Sequence, residues 1–489
     1  MNFFIYTLNR VLKMAINTLP DKKNAPKNSL SHLFLSIKGP EIVVWTIWAG
    51  MLLFALTCVF IYGHNIPIAE DWHMVAPLTG NEPKLIQWLW AQNNEHRIPL
   101  PKMILLLLLK STHGDFRSGM FLNILAIAFL AALLIYTFYK FRGGKTKYTD
   151  AFFPLVLLNI GHWENFYWSW EFTFILATIL FCFLIINIIR FSEPLSRRPA
   201  ITTALCSVLL PLCGANGLLY LLPVIPWLAY ISFLHLRSRK VSFDRQVGFI
   251  LISGLITALI LSAIYFIGYE RPYWNPPSPS IKDTIITSIK FMALGFGPSV
   301  SDRWNIFMLA AFVLISATSI LLVYALFQFR GIDFTRALGL FLFLGGMFVF
   351  ALAMGYGRAA SVAIYGFPLR YVLLSVPIVI ICYSGWELFG SFLMKNLIQW
   401  SLVLSMMLLL IPNTKKGFGW RNWYLDGVQS VTNDIKVGVP HAQLAERHQK
   451  FLLHWNKQML YTLMQQLKEA RMGPFQYMKE DAPSNTFPQ

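Results

Sequence analysis

The chain reads as an all-α, polytopic membrane protein of about eleven transmembrane helices. Three observations carry that reading. Mean hydropathy is +0.53, with 56% hydrophobic and only 13% charged residues, which excludes an ordinary soluble domain. Apolar runs of about 18 to 22 residues recur and match the ~30 Å hydrocarbon core of a bilayer. Backbone polar groups in lipid must be satisfied within their own segment, so these runs must be helices.

The predicted spans are 43–62, 119–139, 149–161, 170–190, 200–213, 218–236, 247–268, 304–328, 337–354, 371–390 and 396–412. The third and fifth are short and suit helices that stop early. This divides the chain into an N-terminal segment, 1–42, a transmembrane domain, 43–412, and a C-terminal tail, 413–489. The N-terminal segment opens with an apolar, weakly basic stretch, Met1 to Leu19, followed by a polar one, Asp21 to Ser31. It shows no small-residue cleavage site and reads as an uncleaved cytoplasmic segment lying along the membrane face.

A net charge of +18 invites a nucleic-acid partner, but its distribution argues against one. Basic residues cluster in short loops between spans, which is the positive-inside pattern. Clusters such as Lys140/Arg142/Lys145/Lys147, Arg190/Arg197/Arg198, Arg237/Arg239/Lys240/Arg245 and Arg330/Arg336 fall on one side. That side is expected to be cytoplasmic, with the tail outside, in a bacterial inner membrane. The five cysteines, Cys58, Cys182, Cys206, Cys213 and Cys382, fall within apolar runs without metal-ligand spacing and read as packing residues.

The external segments are the unusual ones. Segment 63–118 holds two short helical stretches, Lys84–Gln92 and Met103–Lys110, the second too short to span and expected at the interface. Segment 269–303 begins with a Pro-rich stretch, Pro272 to Pro279, and continues as a helix over Ile281–Leu294. The tail shows helical periodicity from Gln443 to Arg471, with Leu444, Phe451, Trp455, Leu460 and Leu467 on one stripe.

The ionisable clusters that suit chemistry lie on this side. Glu70 and Asp71 can act as a general base plus a metal ligand or positioning group, or simply cap a helix. In Asn94-Glu95-His96-Arg97, His96 and Arg97 suit an anion such as a phosphate, while the plain alternative is a headgroup anchor. The aromatic segment His162 to Glu171 places Trp163, Glu164 and Asn165 where a sugar could stack and hydrogen-bond, although aromatic belts occur in any membrane protein. Asn216-Gly217 reads as a tight turn. Arg271, Tyr273 and Trp274 lie in the Pro-rich stretch, a gating loop or a connector. Arg358 and Arg370-Tyr371 interrupt an almost uncharged region and suit a lipid-linked phosphate, or headgroup snorkelling. No Walker loop, Rossmann fingerprint, nucleophile elbow or His-Glu-x-x-His occurs. The mid-membrane stretches nearly lack Asp, Glu and Lys, against the usual pattern of ion-coupled carriers.

The layout resembles the GT-C glycosyltransferases: one span, a long external loop opening on the acidic pair Glu70-Asp71, interfacial helices, and further spans to about eleven. The Asn-Glu-His-Arg element, the Trp-Glu-Asn segment and Arg370-Tyr371 also look like features of bacterial relatives. The tail of about 77 residues departs from the large soluble domain of the oligosaccharyltransferases. The resemblance implies a polyprenyl-phosphate-linked sugar as donor and an extracytoplasmic glycan or lipid as acceptor. It implies Asp71 or Glu70 as the base, with Arg358, Arg370, His96 and Arg97 on the donor phosphate. Tyr371, Glu95, Trp163, Glu164, Asn165 and Trp274 are then expected to contact substrate. Two acids alone make no Mg²⁺ or Ca²⁺ cage, so metal assistance stays open. A lipid-linked glycan polymerase or ligase, and a non-enzymatic lipid or solute transporter, are the competing readings.

Overall fold

A computed structural model describes residues 38–192, 194–237, 245–453 and 455–481. The expected N-terminal elements, Met1–Leu19 and Asp21–Ser31, and the loop cations Arg239 and Lys240 lie outside the described residues.

Helix α1 (Gly39–Tyr62) leads into a 3₁₀ turn, Ala69–Met74, and three short helices, α2 (Val75–Thr79), α3 (Leu85–Trp90) and α4 (Pro99–Ser111). Then come α5 (Arg117–Phe141), α6 (Phe152–Leu157), α7 (Trp163–Tyr167), α8 (Phe172–Ile189) and α9 (Arg197–Leu209). The second half comprises α10 (Ala215–Arg237), α11 (Arg245–Tyr265), α12 (Ile281–Ala293), α13 (Trp304–Gln328), α14 (Gly331–Tyr365), α15 (Tyr371–Phe389) and α16 (Phe392–Lys436). Helices α17 (His441–Leu452) and α18 (Lys457–Glu469) form the tail. No strand forms among the described residues, only two isolated bridges.

Nine described helices are long and apolar enough to cross a membrane: α1, α5, α8, α10, α11, α13, α14, α15 and α16. They coincide with nine of the eleven predicted spans, and the architecture fits a polytopic integral membrane protein. The other two segments are short. Helix α6 has 6 residues, because Asn159 turns its amide back onto the carbonyls of Leu155 and Val156 and accepts from the Gly161 N–H. Helix α9 has 13 residues and tightens into a 3₁₀ turn at Pro211, giving about 20 Å of helix.

The bundle is layered by burial. The apolar window of α15 is 89% buried and that of α8 78%, so these two form the centre. The window of α13 is only 22% buried, and its outward face carries Ile306, Leu309, Phe312 and Ile320. An apolar surface of this kind is stable when hydrocarbon, not water, lies against it.

Helix α16 runs unbroken through Pro412 to Lys436, 45 residues or roughly 67 Å, about twice a bilayer's core. The tail boundary expected at 412/413 therefore falls inside a helix. The tail periodicity expected as one helix over 443–471 resolves into two, because Asn456 breaks the run and caps α18 by accepting from the Met459 N–H.

The two ends of the bundle differ. At one, Arg142 pairs with Asp150 at 2.5 Å and Glu387 at 2.9 Å, and Lys147 holds Glu387 at 2.7 Å. This closed ion network sits where α5 ends and α15 ends. The opposite end, where α15 begins, holds the cavity described next.

Candidate active site

A cavity of about 900 Å³ opens between the 63–98 segment, the start of α8, the loop after α11 and the end of α14. Its position follows from local structure. Ala69 adopts φ +45°, an unusual conformation for a residue with a Cβ, and starts the 3₁₀ turn there. In a 3₁₀ helix side chains at i and i+3 align. Glu70 and His73 therefore share one face and line the cavity, while Asp71 and Met74 share the other and are buried.

The two acids consequently differ. Glu70 has no hydrogen-bond or ion-pair partner among the described residues, and its carboxylate is open to the cavity. Asp71 is 2% exposed and does not line it. Its Oδ1 accepts the Trp170 N–H at 2.9 Å and its Oδ2 the Ile68 N–H at 3.4 Å. Burial pushes the Asp71 carboxyl well above the usual range, the two N–H groups oppose this, and the Glu70 charge adds to it.

A tight turn presents the next pair. Asn93 and His96 exchange backbone bonds of 2.8 and 2.9 Å around Asn94, whose φ is +51°. Glu95 then pairs with Arg358 from α14, accepts the Asn275 amide at 3.1 Å, and lies 3.7 Å from His96 Nε2. His96 Nδ1 accepts the Ala215 N–H at 3.2 Å, which fixes a neutral ring with its proton on Nε2. Burial lowers the His96 pKa to about 4, the Glu70 charge opposing and Arg370 reinforcing.

Arg370 is the second cation of the cavity. Its backbone N–H donates to Glu164 at 2.7 Å, its Nη1 lies 3.2 Å from the other Glu164 oxygen, and its Nε lies 3.6 Å from Glu171. Its guanidinium also lies over the rings of Trp168 and Tyr371. Burial disfavours its charge, but the Glu164 and Glu171 carboxylates outweigh that and hold it above its ordinary pKa.

Of the residues singled out from the sequence, Glu70, Glu95, His96, Trp274, Arg358, Arg370 and Tyr371 line this one cavity. Glu164 stands behind it as the partner of Arg370. Asn165 is fully buried and donates to the Arg370 carbonyl at 3.3 Å. Trp163 stacks on Tyr167 with centroids 3.4 Å apart, away from the cavity. Arg97 does not face it either. Four of its five N–H groups go to backbone carbonyls, those of Trp90, Tyr265, Ile267 and Gly268, so it fastens the end of α11 to the first loop. That leaves little of its fork for a phosphate.

The cavity also holds residues outside the predicted site set, His73 and Trp455 among them. His73 stacks on Trp455 of the tail, with centroids 5.9 Å apart; burial lowers its pKa to about 4, with the Lys102 charge adding to this. Its signal was its spacing of three from Glu70, legible once the turn is known to be 3₁₀. Trp455 belongs to the apolar stripe of the tail, a pattern that carries no sign of a site. The lining groups now include Glu70, Glu95 and Glu171 against Arg358 and Arg370, a site in which carboxylates outnumber guanidinium groups. Among the described residues, no group of three or more His, Cys, Asp or Glu side chains is placed to hold a metal ion.

In comparisons with known proteins the chain matches no family model, no curated protein and no solved structure.

Proposed function

We propose that this chain is a GT-C-like glycosyltransferase of a bacterial inner membrane. On this reading it moves a sugar from a polyprenyl-phosphate donor to an extracytoplasmic glycan or lipid. The observation that carries the reading is the meeting of an unpaired carboxylate, Glu70, with two guanidinium groups, Arg358 and Arg370, in one cavity at a bundle end.

The topology supports this. Residues 150–170 begin at the ion network and reach the cavity, and residues 195–213 also run from the His235 end to the cavity. We therefore count these two short segments as passes, which gives eleven. Arg142 and Lys147 of the basic loops lie at the end opposite the cavity, which under the positive-inside rule supports a cavity on the non-cytoplasmic side.

The chemistry needs one proton acceptor and a place for a departing phosphate. An acceptor hydroxyl attacks the anomeric carbon, a new C–O bond forms, and the bond to the phosphate oxygen breaks with its electrons leaving on the polyprenyl phosphate. Glu70 takes the hydroxyl proton. Arg358 and Arg370 receive the phosphate. Both are prepaired with carboxylates, so the donor must share them with Glu95, Glu164 and Glu171, and neutral His96 offers its Nε2–H. Asp71 holds the turn that aims Glu70. Val362 and Tyr365 at the cavity's α14 side give a lipid chain an apolar margin.

The test is release of sugar from a mixture of polyprenyl-phosphate hexoses by the purified chain. The reading expects release by the native protein and a drop of about 10²- to 10⁴-fold in Glu70→Gln. Undiminished release in that variant would remove the assignment of Glu70.

A further inference from the structure

The cavity carries an aromatic lining that the transfer chemistry does not use. Trp455 reaches it from the tail, between α17 and α18, and is 42% exposed. Tyr273 and Trp274 reach it from the loop after α11, at 89% and 56% exposed. Tyr273 and Trp274 meet edge-on with centroids 4.9 Å apart.

Both surfaces are held in place. Trp455 stacks at 22° on His73, which itself lies 5.7 Å from Trp170, so a ring ladder runs from the bundle to the tail. The tail behind it is anchored by Phe475, edge-on to Trp72 at 5.5 Å. On the other element, Asn275 donates to Glu95 at 3.1 Å, and the Ser278 N–H donates to the Tyr356 carbonyl at 2.7 Å. Gln92 holds the same loop at Glu270, its side-chain amide donating to the Glu270 carbonyl and accepting the Glu270 N–H. The loop and the tail that carry these rings are thus tied to the bundle, which limits the ordering needed on binding.

The polar groups between the rings select the ligand class. Asn93, Asn94 and Asn275 supply amides, and Glu70 and Glu171 supply carboxylates. Amides and carboxylates together offer the donors and acceptors that sugar hydroxyls need. Aromatic faces, with their negative quadrupole, match the C–H face of a pyranose. An acyl chain would instead call for an aliphatic lining, of which Ile98 and Val362 are the main members.

We propose that Trp455 of the tail and the Tyr273–Trp274 pair form a carbohydrate subsite, which holds the acceptor glycan beside Glu70. This rests on the glycosyltransferase reading for the word acceptor, but not for sugar binding itself.

The experiment is saturation-transfer NMR on the full chain in detergent, with methyl α-D-glucopyranoside and methyl β-D-galactopyranoside as probes. The native protein is expected to transfer saturation to ring protons of at least one probe. Tyr273→Ala/Trp274→Ala, which removes exposed rings with little packing, should cut the signal at least fivefold. Trp455→Ala should do the same and Trp455→Phe should restore most of it. Trp400→Ala, an exposed tryptophan outside the cavity, should leave it intact. Absence of transfer to both probes in the native protein, or an unchanged signal in the two alanine variants, would overturn the subsite. Donor turnover in the same preparations separates the two ideas. Turnover without ring-dependent sugar contact defeats the subsite alone, and ring-dependent contact without turnover defeats the enzyme reading alone.

Discussion

Asp71 accepts the Trp170 backbone N–H at 2.9 Å, across 99 residues of chain. This bond joins the 3₁₀ turn after α1 to the start of α8. The adjacent acid, Glu70, is thereby aimed at the cavity, and Asp71 is left in the core.

Asp71 should consequently behave as a stability residue. Asp71→Ala leaves the Trp170 N–H unpaired and should cost about 1 to 3 kcal/mol. Asp71→Asn keeps one acceptor and should cost less. The folded-state pKa is raised, so the stability this carboxyl contributes is full below about pH 4 and is lost as pH rises through the raised value. Melting temperatures in detergent from pH 4 to 8 should fall less steeply for Asp71→Asn than for the native chain. Identical slopes would contradict the burial argument.

Arg370 should matter to both folding and donor binding. Glu164 and Glu171 are 4% and 3% exposed beside it, so Arg370→Ala strands two carboxylates. Loss of a buried partner of this kind costs roughly 3 to 5 kcal/mol. Arg370→Lys keeps the charge but not the fork that reaches both acids. Thermal unfolding should rank native above Lys above Ala, and donor KM should rise in Arg370→Lys. A lysine variant with native KM and stability would show that the fork is unimportant.

His96 gives a prediction of opposite sign to Asp71. Its pKa is lowered to about 4, so its contribution is present above about pH 6.5 and is lost as pH falls toward 4. His96→Asn preserves an acceptor for the Ala215 N–H but does not titrate. Its melting temperature should decline less than that of the native protein between pH 6.5 and 4. An equal decline would place the acid sensitivity elsewhere.

Much of this was legible in the sequence, for identifiable reasons. Nine spans follow from hydropathy alone, because nothing except a helix satisfies such runs in lipid. The segments at 149–161 and 200–213 were legible as helices that stop early, and they resolve to short helices because Asn159 and Pro211 end them locally. Arg358 and Arg370 stood out because their neighbourhood carries almost no other charge. Arg97 looked equivalent, yet its donors go to carbonyls up to 171 residues away, which composition does not encode. Choosing between Glu70 and Asp71 required the turn to be 3₁₀, since only its three-residue repeat tells which acid shares a face with His73. Trp455 was hidden in a helical stripe because the break at Asn456 turns its loop toward the cavity.

The most direct measurement is the rate of sugar release from a polyprenyl-phosphate hexose by Glu70→Gln and Asp71→Asn, each scaled to its folded fraction. A rate in Glu70→Gln at least about 10²-fold below that of Asp71→Asn is the expected result. Equal rates in the two variants, or a deeper loss in Asp71→Asn, would contradict a base at Glu70 and the separation of roles between the paired acids.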